Sequence, residues 1–332
     1  MKKQAIIIPV ASGKGGVGKS IISANLAISI ANLGHSTVAI DLDLGGSNLY
    51  SYLGLENIYP GIGDYLVTKK GKLTDYLVPT NFPNLQFLAG ERRVAFMANM
   101  PHAQKVKLIK EIKNISADYI LLDLGAGTTF NTLDYFELSS NGIVISTFER
   151  PSIINTLSFI KNFIYRIVQK EIRNNNKISV AIDELSKNYI EDDLLLLSTI
   201  NNLIKEMDAE LALKIEEKCN TFHPRIIFNM GEHPDDLTII NALEKSVKKI
   251  LSIDLCFFGY IFYDKYVKLS ASGNQVLLEK YPECTASLGI TQIARRIIKY
   301  KNQNIENSSK LLQIHTLENY NLWKAGILSE NI

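Results

Sequence analysis

The sequence predicts an α/β protein built on a mostly parallel, doubly wound sheet with helices on both faces. Seven short β-rich runs alternate with longer segments whose apolar residues recur every three or four positions, the alternation that parallel βαβ units require. Several of the runs are apolar almost throughout, as strands covered on both faces are. The chain is also large enough and apolar enough for one sizeable core, with 332 residues of which 46% are hydrophobic and 21% charged.

The elements follow in order. "AIIIPV" (5–10) is the first strand. Pro9 removes a ladder donor, but it stands near the carboxyl end, where pairing is expected to be finished. "KSIISANLAISIANLG" is a helix that stops at Gly34, a good C-cap. "TVAIDLDL" (37–44), "LQFLAG" (85–90), "DYILLDLG" (118–125), "GIVIST" (142–147), "RIIFNM" (225–230) and "LCFFGYIF" (255–262) are the remaining strands. "AQKVKLIKEIKNI" and "SIINTLSFIKNFIYRIVQK" are helices between them. Residues 166–222 interrupt the alternation. There Leu196, Ile200, Leu203, Ile204, Met207 and Leu211 share one helical face, so we expect a helical insertion that packs on the domain or docks a partner. Residues 1–301 form one domain in this reading. Residues 302–332 form an amphipathic tail with Leu317, Tyr320, Trp323 and Ile327 at near-helical spacing. Trp323 suits a membrane interface, but Lys310 and Lys324 are matched by Glu318 and Glu330, which favours packing on protein.

Composition removes several classes. Lys and Arg number 36 against 34 acidic residues, a net charge of +2, so no global excess of positive charge exists to hold nucleic acid. Cys219, Cys256 and Cys284 are far apart and form no Cys-x-x-Cys pair. Neither a disulfide framework nor a structural zinc site is expected, and the thiols read as those of a cytoplasmic chain. No apolar run approaches the ~20 residues of a membrane span. Peripheral contact at the inner face of the cell membrane stays open.

Gly13 to Ser20, "GKGGVGKS", fits the spacing G-x-x-x-x-G-K-[ST] between a strand and a helix, the context in which it cradles phosphates. The backbone N–H groups of Gly13, Lys14, Gly15, Gly16, Val17 and Gly18, and of the helix start through Ile21, point at the ligand. Lys19 reaches the β- and γ-phosphates and the Ser20 hydroxyl ligates Mg²⁺. A nucleoside triphosphate is the implied polyanion. Asp41 and Asp43 end one strand and Asp123 another, at the sheet edge where ligands of open α/β folds gather. An apolar strand ending in aspartate holds Mg²⁺, usually through water, and this assigns Asp123 to the metal. Two carboxylates near a triphosphate, Asp41 and Asp43, repel it unless Mg²⁺ or a positioned water intervenes; otherwise Asp41 caps a turn. Gly125 and Gly127 let the following loop rearrange with the γ-phosphate.

With Lys14 included, "KGGVGKS" resembles the deviant Walker A motif of the MinD/ParA family of ATPases, which have a P-loop NTPase fold. The resemblance implies ATP and Mg²⁺ as cofactors and an ATP-dependent homodimer in which Lys14 reaches the partner's nucleotide. Lys14, Lys19, Asp43 and Asp123 are then the catalytic set. "VAIDLDLGGSNLYSYLGL" is similar to the family's switch I, which implies that Asp43 orients the attacking water, that Asp41 supports the metal or the loop, and that Asn48 lies near the phosphates. "YILLDLGAGTTF" is similar to switch II. Asn229, in "IIFNMGE", and Asp264, in "GYIFYDKYV", match positions that bind adenine or close over it, although each could equally be a turn residue. Glu149 matches a glutamate that touches the partner's nucleotide, with Phe148 where relatives usually have proline.

"MANMPHAQK", "LLDLGAGTTFNTLDYF" and "ERPSIINTLSFIKN" look most like the MinD-like branch that includes the FlhG (FleN) flagellar-number regulators. The implied function is a hydrolysing molecular switch that sets the placement or number of a cell structure, flagella first, through an unidentified protein partner. Three alternatives stand beside it. A DNA-partitioning ATPase needs a basic dimer surface, a metal-cluster carrier needs paired cysteines, and a scaffold binds ATP with little turnover.

Overall fold

The computed structural model describes residues 4–68, 71–90, 100–188 and 197–326. Its strands are β1 (Ile6–Ser12), β2 (Thr37–Leu42), β3 (Val78–Pro79), β4 (Leu85–Leu88), β5 (Tyr119–Leu124), β6 (Ile143–Ser146), β7 (Arg225–Gly231) and β8 (Cys256–Phe262). They form one sheet in the order β3-β4-β2-β5-β1-β6-β7-β8, parallel except for the β3–β4 pair. β1 is central, with β5 on one side and β6 on the other. The chain therefore winds first one way and then the other. The carboxyl ends of β1, β2 and β5 meet where that direction reverses, the crevice in which open α/β sheets bind ligands.

Successive strand residues feed two cores. Ile7, Ile40, Ile120 and Leu122 belong to one, with α4 (His102–Lys113), α5 (Phe130–Phe136), α6 (Arg150–Ile172) and α10 (Ile240–Leu251). Ile8, Ala39 and Leu121 belong to the other, with α1 (Lys19–Asn32) and α13 (Thr285–Tyr300). A strand alternates its side chains between faces, and both faces are roofed. That is why "DYILLDLG" has no polar residue between Tyr119 and Asp123.

The seven strands read from the sequence are all present, and β3 is added. Two expectations change. Pro9 lies inside the β1–β5 ladder, opposite Leu122, and β1 continues to Ser12. β6 joins only from Val10, so at Pro9 the strand has a single neighbour and tolerates a missing donor as an edge does. The single apolar helical face expected through Leu211 is instead divided. α8 (Leu197–Met207) ends at Asp208, whose side chain caps α9 (Ala209–Asn220) by accepting from the Leu211 N–H at 2.9 Å. Ile200 and Ile204 are buried while Met207 is exposed, and Leu196 lies outside the described residues. α6 runs unbroken to Ile172, so the extra helices, with α7 (Asn176–Asn188), follow it.

An ion network joins this block to the helices α4, α5 and α6. Asp134 of α5 pairs with Lys105 of α4 and with Arg166 and Lys170 of α6. Burial alone would raise the Asp134 carboxyl, but Arg166, Lys105 and Lys170 hold it well below the usual carboxylate range. Glu137 and Glu171 carry the pairing on to Lys218 of α9.

The tail forms α14 (Ser308–Lys324) and packs on β8. Leu312 and Thr316 are buried, and the Tyr320 and Trp323 rings lie 5.9 and 5.8 Å from Phe262. Leu317, expected on the same stripe, faces outward at 51% exposure. Ile327 lies outside the described residues.

Candidate nucleotide site

The loop leaving β1 has the shape its glycines allow. Gly16 and Gly18 hold φ of +82° and +88°, the left-handed region that a side chain disfavours. Gly18 is the N-cap of α1, so the loop delivers the free N–H groups of a 14-residue helix to its concave side. The loop is tied on three sides. Ser12 donates its hydroxyl to the Lys14 carbonyl at 2.9 Å, and Gly127 donates its N–H to the Ser12 carbonyl at 2.9 Å. Asn229, at the end of β7, donates Nδ2 to the Val17 carbonyl at 2.9 Å. Asn229 thus supports the phosphate loop directly, a role its sequence position did not reveal.

Beneath the loop, Lys19 and Asp123 are both buried and bonded at 2.9 Å. The Lys19 ammonium also lies 3.3 Å from the Ser20 hydroxyl. Ser23, one helical turn on, donates to the same Asp123 oxygen, Oδ1, at 2.8 Å. Asp123 Oδ2 is buried with no hydrogen-bond partner among the described residues. A buried anionic oxygen without a donor, on a carboxylate that shares the Lys19 ammonium with the Ser20 hydroxyl, fits a Mg²⁺–phosphate ligand.

Asp41 is Asp123's register neighbour across the β2–β5 ladder. It works on the loop. Its carboxylate accepts from the Ser47 hydroxyl at 2.7 Å and from the N–H groups of Asp43, Asn48 and Leu49 at 3.0–3.1 Å. Those bonds fold the turn that carries Asp43 and place Asn48 at the start of α2 (Leu49–Tyr52). Burial, and then the charge of Asp123, push the Asp41 carboxyl up to about 7 despite these donors. Its folded value exceeds its unfolded one, so its stabilising effect is full at low pH and fades between about pH 4 and 7. Relative to Asp41→Asn, the wild type should lose about 1 kcal/mol of unfolding free energy per pH unit from pH 5 to 7. Urea titrations at a series of pH values read that slope, and parallel curves would exclude it.

Asp43 stands over switch II, its carboxylate beside Gly125: a Cβ built there would lie 3.4 Å from Asp43 Oδ1. The two carboxyl-end loops named from the sequence therefore touch, and Thr129 caps the helix α5 that follows by accepting from the Thr132 N–H. Lys14 lies on the rim, 30% exposed, and pairs with Glu149 of its own chain at 2.7 Å. Phe148, in the place usual for proline, stacks on Phe228 with centroids 4.7 Å apart, anchoring the turn that carries Glu149. Asp264 is a helix cap. It accepts from the N–H of Tyr266 and the hydroxyl of Thr285, at 3.0 and 2.8 Å, and so joins α11 (Lys265–Ser272) to α13. Sequence reading missed Ser23 and Ser47. Ser23's spacing of four from Lys19 on one helix was the available signal.

A family model described as "ParA: NUBPL iron-transfer P-loop NTPase" matches residues 3–170. The chain belongs to the MinD/ParA family of P-loop ATPases. This MinD/ParA chain is 31% identical over 262 residues to the septum site-determining protein MinD of Synechocystis, covering 77% of the chain and 86% of that protein. It is 22% identical over 294 residues to the antiactivator FleN of Pseudomonas aeruginosa, covering 88% and 85%. Against three other MinD relatives the match spans only 62%, 46% and 58% of their length. The fold is that of MinD from Pyrococcus horikoshii, a structure complexed with Mg-ADP, at a TM-score of 0.60 and 18% identity over 91% of this chain and all of that one. The phosphate loop with Lys19, Ser20 and Asp123 fits ATP and Mg²⁺ as its ligands.

Proposed function

We propose that this chain is an ATP-hydrolysing switch that dimerises face to face around nucleotide and releases its partner on hydrolysis. The observation that carries the reading is the division of labour between two lysines on one loop. Lys19 is buried against Asp123, inside its own site, whereas Lys14 stands on the exposed rim, where a second copy can meet it. Lys14 and Glu149 exchange their mutual pairing for the other copy's phosphates and ribose. An exposed ion pair of this kind contributes only ~0–1 kcal/mol, so the exchange is cheap.

Ser20 and Asp123 would hold Mg²⁺, which would supply neutralisation of the phosphate charge. Lys19 orients the β- and γ-phosphates, and Asp43 positions the attacking water beside the Gly125 loop. With no strong general base in reach among the described residues, rate depends on positioning and charge, so turnover is slow. Likeness to FleN over most of the chain favours control of flagellar number or placement, with a protein partner and a cytoplasmic setting. No described helix is long and apolar enough to cross a membrane. In this reading the three helices between α6 and β7 are an insertion within a domain of residues 1–301.

Lys14→Ala should retain ATP binding within a few-fold yet stay monomeric in light scattering with ATP. An undiminished dimer would remove Lys14 from the interface. Asp43→Ala should dimerise with ATP while phosphate release falls at least about a hundredfold. Undiminished turnover would take Asp43 out of the mechanism.

A further inference from the structure

Ser23 has no place in the loop spacing, and it is 1% exposed in the middle of α1. Its hydroxyl lies 2.8 Å from Asp123 Oδ1 and 2.9 Å from the Lys19 carbonyl. A hydroxyl has one proton, and an ionised carboxylate accepts it more strongly than an amide carbonyl. Asp123 Oδ1 therefore has two donors fixed on one helix, Lys19 and Ser23, while Oδ2 has none among the described residues. The two donors are not equivalent. Lys19 must direct its ammonium to the phosphates when nucleotide binds, whereas Ser23 sits a turn deeper and stays where it is.

We propose that Ser23 is a positioning residue for magnesium: it anchors one oxygen of Asp123 so that the other, Oδ2, is aimed at the metal's water shell while Lys19 serves the phosphates. The inference rests on the nucleotide-site reading above and assigns this buried serine a role in that site. Orienting a metal-side carboxylate through a hydrogen bond is the usual work of outer-shell partners, and their loss costs about 10- to 100-fold in metal affinity.

The test is Mg²⁺ titration of full-length protein with a fluorescent N-methylanthraniloyl ATP, comparing wild type with Ser23→Ala, Ser23→Cys and Ser23→Thr. Ser23→Ala should raise the Mg²⁺ concentration for half-maximal tightening by about tenfold or more. Its affinity for the analogue in EDTA should be unchanged, a split that general damage to the fold would not give. Ser23→Thr should restore the wild-type curve, because it returns the hydroxyl. Ser23→Cys, which keeps the volume with a weaker donor, should fall between and carries the test if the alanine variant folds poorly. Wild-type Mg²⁺ dependence with the same midpoint in Ser23→Ala or Ser23→Cys overturns the role of Ser23 alone. Wild-type protein that binds the analogue without any response to Mg²⁺ overturns the site reading and this inference together.

Discussion

Lys19→Ala is expected to abolish measurable ATP binding and to lower stability at the same time. Charge-assisted contacts to phosphate are the strongest the loop can make, and Lys19 is its buried cation. The second effect follows from Asp123, which is 0% exposed. Without Lys19 its carboxylate keeps Ser23 as a donor and has no counter-charge. Breaking a buried pair by removing one partner costs about 3–5 kcal/mol. Lys19→Ala/Asp123→Asn removes the uncompensated charge and should regain most of that loss, still without binding nucleotide. Calorimetric titration with Mg-ATP and urea unfolding of both variants separate the two effects. Micromolar binding by either variant would refute the assignment of the loop.

Gly13→Ala is the second large effect expected, and it acts through shape. A Cβ at Gly13 would overlap the backbone carbonyl of Asn155 and press on the N–H of Thr156, both in α6. Neither is the movable end of a side chain, so the loop or the helix must shift. Overpacking of this kind costs about 1–3 kcal/mol, and a clash with main chain belongs at the upper end. For a chain of this size that lowers the melting temperature by roughly 3–4 °C. Gly15→Ala is the control: its Cβ would meet nothing within 4 Å, and its melting temperature should stay near wild type. Equal losses in the two variants would exclude the α6 contact as the cause.

The strands were legible in the sequence because their burial is two-sided, which leaves apolar runs no other explanation. β3 was not, since Val78 and Pro79 are too short a run to carry a period. The break at Asp208 escaped because apolar spacing continued across it. The extended backbone of Asp208 and its capping bond to Leu211 separate the two helices. Lys19, Asp43 and Asp123 were legible as strand-end and loop residues, for chemistry fixes their types and spacing. Asn229 lies at the strand end and Asp264 in the loop where the sequence set them, yet their hydrogen bonds join elements more than twenty residues apart, which spacing cannot report. The tail was recognised as a helix, but its inward face depends on where β8 presents Phe262.

One helix spans the molecule's two working regions. α6 starts against Gly13 and, 23 residues later, ends at the ion network that grips α9. At 1.5 Å per residue it is a rod about 35 Å long. Pivoted where Asn155 meets Gly13, the 17 residues beyond make an arm of about 25 Å, and a tilt of ~5° would sweep its far end through about 2 Å. The helix has the form of a lever: a shift at the loop would reach the distant helical block through a single continuous backbone.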